Sequence, residues 1–195
     1  MSAEPTSPLS NFVYSFATVR LLLQKAHDNG SLIEGLVLYV SLIDGLLRLA
    51  IILDKQLASD PVTVGEYMQQ VPGGPKLTER AIYEEARQRN IIDEAFKAEV
   101  VELYGYRNAI VHRFFLTSLQ YADLAPHLVR YERLYDRCFA IVGELEDRQV
   151  REGRGMTIGG PQTDRQAVLV EVLAKLGFNP DRTERGPAAS PPRTV

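Results

Sequence analysis

Residues 32–53 read LIEGLVLYVSLIDGLLRLAIIL, and this stretch decides the class of fold. Apolar side chains cover nearly every helical face from Leu32 to Leu57, and nothing in the run alternates with the period-two pattern of a half-buried strand. A helix that is apolar all round must be buried, in a protein core or in a bilayer. The length would suffice for a bilayer. However, Glu34, Asp44 and Arg48 interrupt the run, two of them well inside it, and charges near the middle of a span are costly in lipid. The stretch therefore reads as the central helix of a helical bundle and not as a membrane span. Ser31 is placed to cap it, with Glu34 completing a capping box. Gly35, Ser41 and Gly45 leave gaps where another helix can approach closely. Asp44 and Arg48, four residues apart, share a face and can pair.

Working outward, Phe12, Phe16, Val19 and Leu23 form one stripe of a preceding helix that Ser10 or Asn11 caps and Asn29-Gly30 ends. Downstream, Ser59-Asp60-Pro61 breaks the central helix. Residues 60–78 are expected as a loop with a helical turn at 64–70 and a Pro-Gly-Gly-Pro hinge at 72–75. Thr78 then caps a short helix to about Arg89, and Asn90 either ends or kinks it. A long helix from Ile91 to about Arg113 follows, with Ile92, Phe96, Val100, Leu103 and Ile110 as its core stripe. From Tyr121 to Arg151, Leu124, Leu128, Tyr131, Tyr135, Cys138, Val142 and Leu145 recur at alternating spacings of four and three, the seam of helices packed at shallow angles. The predicted organisation is a disordered N-terminus over 1–9 and a helical bundle over 10–152. A glycine-rich linker over 153–162, a C-terminal helix over 163–178 and a disordered tail over 179–195 complete it. The fold class is all-α.

Composition narrows the function. At 195 residues, 45% hydrophobic and 24% charged, the chain fits one soluble domain with an appendage. Its net charge of −3 and the absence of a Lys/Arg tract argue against a protein that coats nucleic acid through a broad basic surface, so any such role must use a local pocket. The lone Cys138 allows neither an internal disulfide nor a Cys-based zinc site, and the three histidines lack paired ligand spacing. No metal or cofactor is expected. The chain opens without a basic-then-apolar leader, which points to the cytoplasm.

Chemistry concentrates in Tyr104-Gly105-Tyr106-Arg107-Asn108-Ala109-Ile110-Val111-His112-Arg113-Phe114-Phe115. On a helix Asn108 and His112 share a face, and the long side chain of Arg107 can swing towards the imidazole. A fixed cation for phosphate oxygens, a group that titrates near neutral pH and a carboxamide to orient them suit phosphoryl chemistry. His27 and His127 read as structural or solvated.

An Arg-polar-x3-His run near the end of a long bundle helix resembles the motif of the HEPN superfamily. These are small four-helix-bundle domains, many of them metal-independent ribonucleases of toxin–antitoxin and defence systems. Arg107-Asn108-Ala109-Ile110-Val111-His112 matches the run in full, and Asp44-Gly45-Leu46-Leu47-Arg48 looks like the family's acidic–basic pair on the second helix, with Asp where Glu is commoner. The resemblance covers residues 10–150. It implies a HEPN-like four-helix bundle, to which this chain adds an inserted loop or short helix at 60–78 and an extra C-terminal helix that have no assigned counterpart in the family. It also implies RNA cleavage by 2′-OH attack at a composite site across a homodimer, with Arg107, Asn108 and His112 catalytic and Asp44 and Arg48 supporting. In that setting Arg113, Tyr104 and Tyr106 are candidate RNA contacts. A nucleotidyltransferase-like antitoxin is the partner the resemblance suggests. The alternative is a catalytically silent HEPN module that binds a protein partner, either an antitoxin or a defence component.

Overall fold

A computed structural model of the chain describes residues 8–69 and 77–159. Residues 1–7, the 72–75 hinge, the 163–178 helix and the 179–195 tail lie outside the described residues. Seven α-helices and two 3-10 turns make up the described part, with no strand among the described residues: α1 (Pro8–Asp28), α2 (Leu32–Ala58), α3 (Val64–Met68), α4 (Glu79–Gln88), α5 (Glu94–Arg113), turns at Phe114–Leu116 and Tyr121–Leu124, α6 (Ala125–Glu152) and α7 (Met156–Gly159).

The all-round apolar helix is the axis of the core. Leu47, Ile51 and Ile52 of α2 are fully buried, and each such burial contributes about 1.5–3 kcal/mol over exposure. Although α2 is long and apolar enough to cross a bilayer, 67% of its most apolar window is covered by the fold. Two of its small residues admit neighbours: a Cβ at Gly35 would lie 3.0 Å from Leu128, and one at Gly45 would lie 3.1 Å from the Phe12 ring. Ser41, the third, faces solvent.

Side-chain pairs set the helix directions. Gly35 meets Leu128, Tyr39 meets Tyr135 and Gln149 reaches the Leu53 carbonyl, so α2 and α6 run parallel. Arg137 pairs with Asp93, Arg130 with Glu99 and Glu102, and Tyr106 stacks on His127, so α5 runs antiparallel to α6. The seam residues Leu124, Tyr131, Cys138, Val142 and Leu145 are buried as the heptad spacing demands, joined by Leu134. The C-terminal end of α5 therefore lies beside the N-terminal end of α6.

Several expected boundaries shift, each for a local reason. Helix α1 is already formed at Pro8, the first described residue, ahead of the caps expected at Ser10 or Asn11. Ser31 precedes α2 without a side-chain cap bond. The Leu32 N–H donates instead to the Tyr121 hydroxyl at 2.6 Å, which donates onward to the Gly30 carbonyl at 2.7 Å. Thr78 caps α4 as expected, accepting from the Ala81 N–H at 3.3 Å. Asn90, at φ +58°, ends that helix outright. The long helix begins at Glu94 and not at Ile91, because Asp93 accepts from the Phe96 N–H at 2.6 Å. Pro126 cannot donate to a preceding turn, so 121–124 forms a 3-10 turn and α6 starts at Ala125.

The described part of the 153–162 stretch is not a free linker. Gly153 ends α6 at φ +65°, and the chain folds back. There Arg154 Nη1 donates to the Leu57 carbonyl at 2.9 Å and the Met156 N–H donates to Gln56 Oε1 at 3.0 Å. The fully buried Gln149 accepts from both the N–H and the hydroxyl of Thr157, at 3.1 and 2.7 Å.

Candidate functional site

The last two turns of α5 present Arg107, Asn108, Ala109, His112 and Arg113 on one side, and with Tyr104 and Gly105 they line an open groove of about 590 Å³. Four features of this groove matter chemically. It holds two guanidiniums, an imidazole and a carboxamide, and no carboxylate among the described residues lines it. His112 is exposed, so a substrate can reach it. Arg107 is half-buried, its Nε enclosed with no hydrogen-bond partner among the described residues. Finally, Arg107 Nη1 donates to Asn108 Oδ1 at 2.8 Å.

That last bond alters one expectation. Asn108 was expected to orient the imidazole or the phosphate, whereas here its carbonyl oxygen fixes the guanidinium beside it. A neutral amide in this place holds the fork in one orientation without cancelling its charge, as a carboxylate would.

The structure sorts the remaining candidates. Arg113 and Tyr104 line the groove with the motif. Tyr106 does not; its ring lies 3.6 Å, centroid to centroid, from that of His127 at 23°, and its hydroxyl is enclosed with no partner among the described residues. Burial, chiefly, with the Asp123 charge, raises the pKa of the Tyr106 phenol. Burial and the neighbouring Arg130 charge lower that of His127, against a smaller opposing pull from Glu102. His127 is thus a packing residue, whose stack on Tyr106 joins α6 to α5 directly behind the motif.

Asp44 and Arg48 pair as the spacing requires, at 2.7 Å, yet they lie elsewhere. With Phe12, Ser41, Gly45, Tyr67 and Met68 they line a separate cavity of about 250 Å³. Arg48 is only 6% exposed, and donates as well to the carbonyls of Tyr67 at 3.1 Å and Leu77 at 2.8 Å. Burial raises the Asp44 pKa against the opposing bond and charge of Arg48. The pair clamps α3 and the start of α4 onto α2. Its guanidinium is committed to backbone oxygens and does not face the groove.

Two features near the motif were not among the expected contacts. The Arg80 guanidinium of α4 lies 5.9 Å from the Tyr104 ring centroid, a cross-helix contact that no local spacing encodes. Phe115 and Leu116, in the turn that follows α5, are 98% and 84% exposed. Among the described residues, no cluster of His, Cys, Asp or Glu is arranged to hold a metal ion. Comparison with protein-family models, with curated proteins and with solved structures gives no match.

Proposed function

We propose that the protein is a HEPN-type endoribonuclease, its bundle formed by α1, α2, α5 and α6, that cleaves RNA by attack of the ribose 2′-OH on the adjacent phosphorus. The observation that carries this reading is the groove itself. In a chain of net charge −3 it gathers Arg107, Arg113, Asn108 and an accessible His112, with no carboxylate of the described residues among its lining. Such a pocket attracts a phosphodiester although the molecule as a whole does not.

In the proposed step the 2′-oxygen forms a bond to phosphorus as the bond to the 5′-oxygen breaks, leaving a 2′,3′-cyclic phosphate and a free 5′-hydroxyl. One imidazole takes the 2′-OH proton and a second group protonates the leaving oxygen. Arg107, oriented by Asn108, stabilises the charge that builds on the non-bridging oxygens. A single His112 does not serve both proton transfers in one concerted step. The reading therefore includes a homodimer in which two grooves face each other and each copy supplies one imidazole.

The test is cleavage of labelled RNA in excess EDTA by the natural protein, His112→Ala and Arg107→Ala. Cleavage giving cyclic phosphate ends, with a loss of about 10²–10⁴-fold for His112→Ala and a loss in Arg107→Ala, is the expected result. No cleavage across a broad RNA panel by the folded dimer would transfer the assignment to the second reading, a silent module that binds a protein partner. The exposed apolar side chains of Val111, Phe115 and Leu116 around the motif favour that alternative.

A further inference from the structure

Four aromatic side chains flank the motif, and three are already engaged. Tyr104 carries the Arg80 guanidinium against its ring and meets Tyr83 edge-on, at 6.4 Å between centroids. Tyr106 is stacked on His127. Phe114 is half-buried against the core. Phe115 is different. It sits two residues beyond Arg113, the last residue lining the groove, and is 98% exposed. Phe114 braces it at 6.0 Å with the rings 66° apart, and that exposure leaves the faces of the Phe115 ring uncovered.

A fully hydrated phenyl ring two residues along the chain from a groove that holds two guanidiniums fits one kind of partner well. The partner must carry negative charge for Arg107 and Arg113 and must offer a flat, weakly polar face to the ring. Unpaired nucleotides have both. In a duplex the base faces are buried against one another, whereas a single strand can splay a base onto an aromatic side chain. The short 3-10 turn at Phe114–Leu116 holds the ring at a fixed step from the end of α5. We infer that Phe115 is a base-stacking platform, on which the nucleotide next to the phosphate held by Arg107 is laid. This inference rests on the ribonuclease reading and adds to it a contact residue. It also moves the stacking role from Tyr104 and Tyr106 to Phe115.

The experiment uses the full-length His112→Ala protein, which binds without turnover, and measures fluorescence anisotropy with a labelled single-stranded RNA and with its duplex. Phe115→Ala, Phe115→Leu and Phe115→Tyr are compared in that background, with oligomeric state followed by light scattering. Single-strand affinity is expected to fall between about 5-fold and about 100-fold for Phe115→Ala. It should be recovered by Tyr, which keeps a flat ring, and not by Leu, which keeps only apolar bulk. Duplex affinity should be weaker at the outset and unmoved by the substitutions. Unchanged single-strand binding in Phe115→Ala would overturn the inference while leaving the ribonuclease reading intact, and so would full rescue by Leu. Conversion of dimer to monomer by Phe115→Ala would make this residue a protein contact and overturn it as well. Failure of the parent to bind any RNA, together with no cleavage by the natural protein, would remove both.

Discussion

At the level of single residues, the motif was legible because its chemistry is carried by residue type and helical spacing, whereas the roles of its neighbours were not. Asn108 and His112 are four apart on any helix, but the nearest acceptor for Arg107 proved to be the adjacent amide, which depends on rotamers and not on spacing. Tyr106 was equally opaque, because its partner His127 comes from another helix. That stack has a measurable consequence. Burial and Arg130 hold the His127 imidazole below its ordinary pKa, so the unfolded chain takes up this proton more readily than the folded one. The stabilising contribution is complete above the unfolded value of about 6.5 and is lost as the pH falls through the folded value. The melting temperature should therefore decline below about pH 6.5. His127→Phe, which keeps the stack and cannot titrate, should flatten that decline over pH 7.5 to 5. An identical slope in the variant would show that the proton binds elsewhere.

At the level of elements, periodicity located the main helices, and capping chemistry placed their ends less well. The stripes on α5 and α6 were read correctly because burial selects apolar residues at fixed intervals. At Ser31 the expected side-chain cap is absent, and the first N–H of the helix, that of Leu32, is met by the hydroxyl of Tyr121, 89 residues away. The glycines at 153 and 155 suggested slack, yet both hold positive φ in a turn that closes onto Gln149. This latch joins α2, α6 and α7, since Gln149 also donates to the Leu53 carbonyl at 3.1 Å and to Gln56 Oε1 at 3.0 Å. Gln149→Ala strands buried acceptors and should cost about 2 kcal/mol, or roughly 4–8 °C in melting temperature. A Cβ at Gly155 would overlap the Gln149 side chain, so Gly155→Ala should destabilise too. The double variant should lose less than the sum of the two, because removing Gln149 clears that space. Strict additivity in denaturant titrations would mean that the two do not share a site.

At the level of the whole molecule, the all-helical class followed from one apolar run, while the separation of the Asp44–Arg48 cavity from the Arg107–His112 groove did not, because it depends on how α3 and α4 fold back over α2. The proposed composite site makes activity a property of assembly. Specific activity on RNA should fall when the protein is diluted through its dimer dissociation range, in parallel with the loss of dimer seen by light scattering. Constant specific activity in a demonstrated monomer would rule out the two-imidazole mechanism. The parallel pairing of α2 with α6 carries one more consequence, which concerns synthesis. The contact between Leu53 and Gln149 spans 96 residues, so at about 5–20 residues per second the ribosome needs roughly 5–20 s to deliver the partner of a finished α2. Until α3, α4 and α5 emerge in the first part of that interval, the most apolar of the described helices has only α1 beside it, and it is long enough to enter a bilayer. The charges of Asp44 and Arg48, which later clamp the loop, would in the nascent chain also discourage its insertion into lipid.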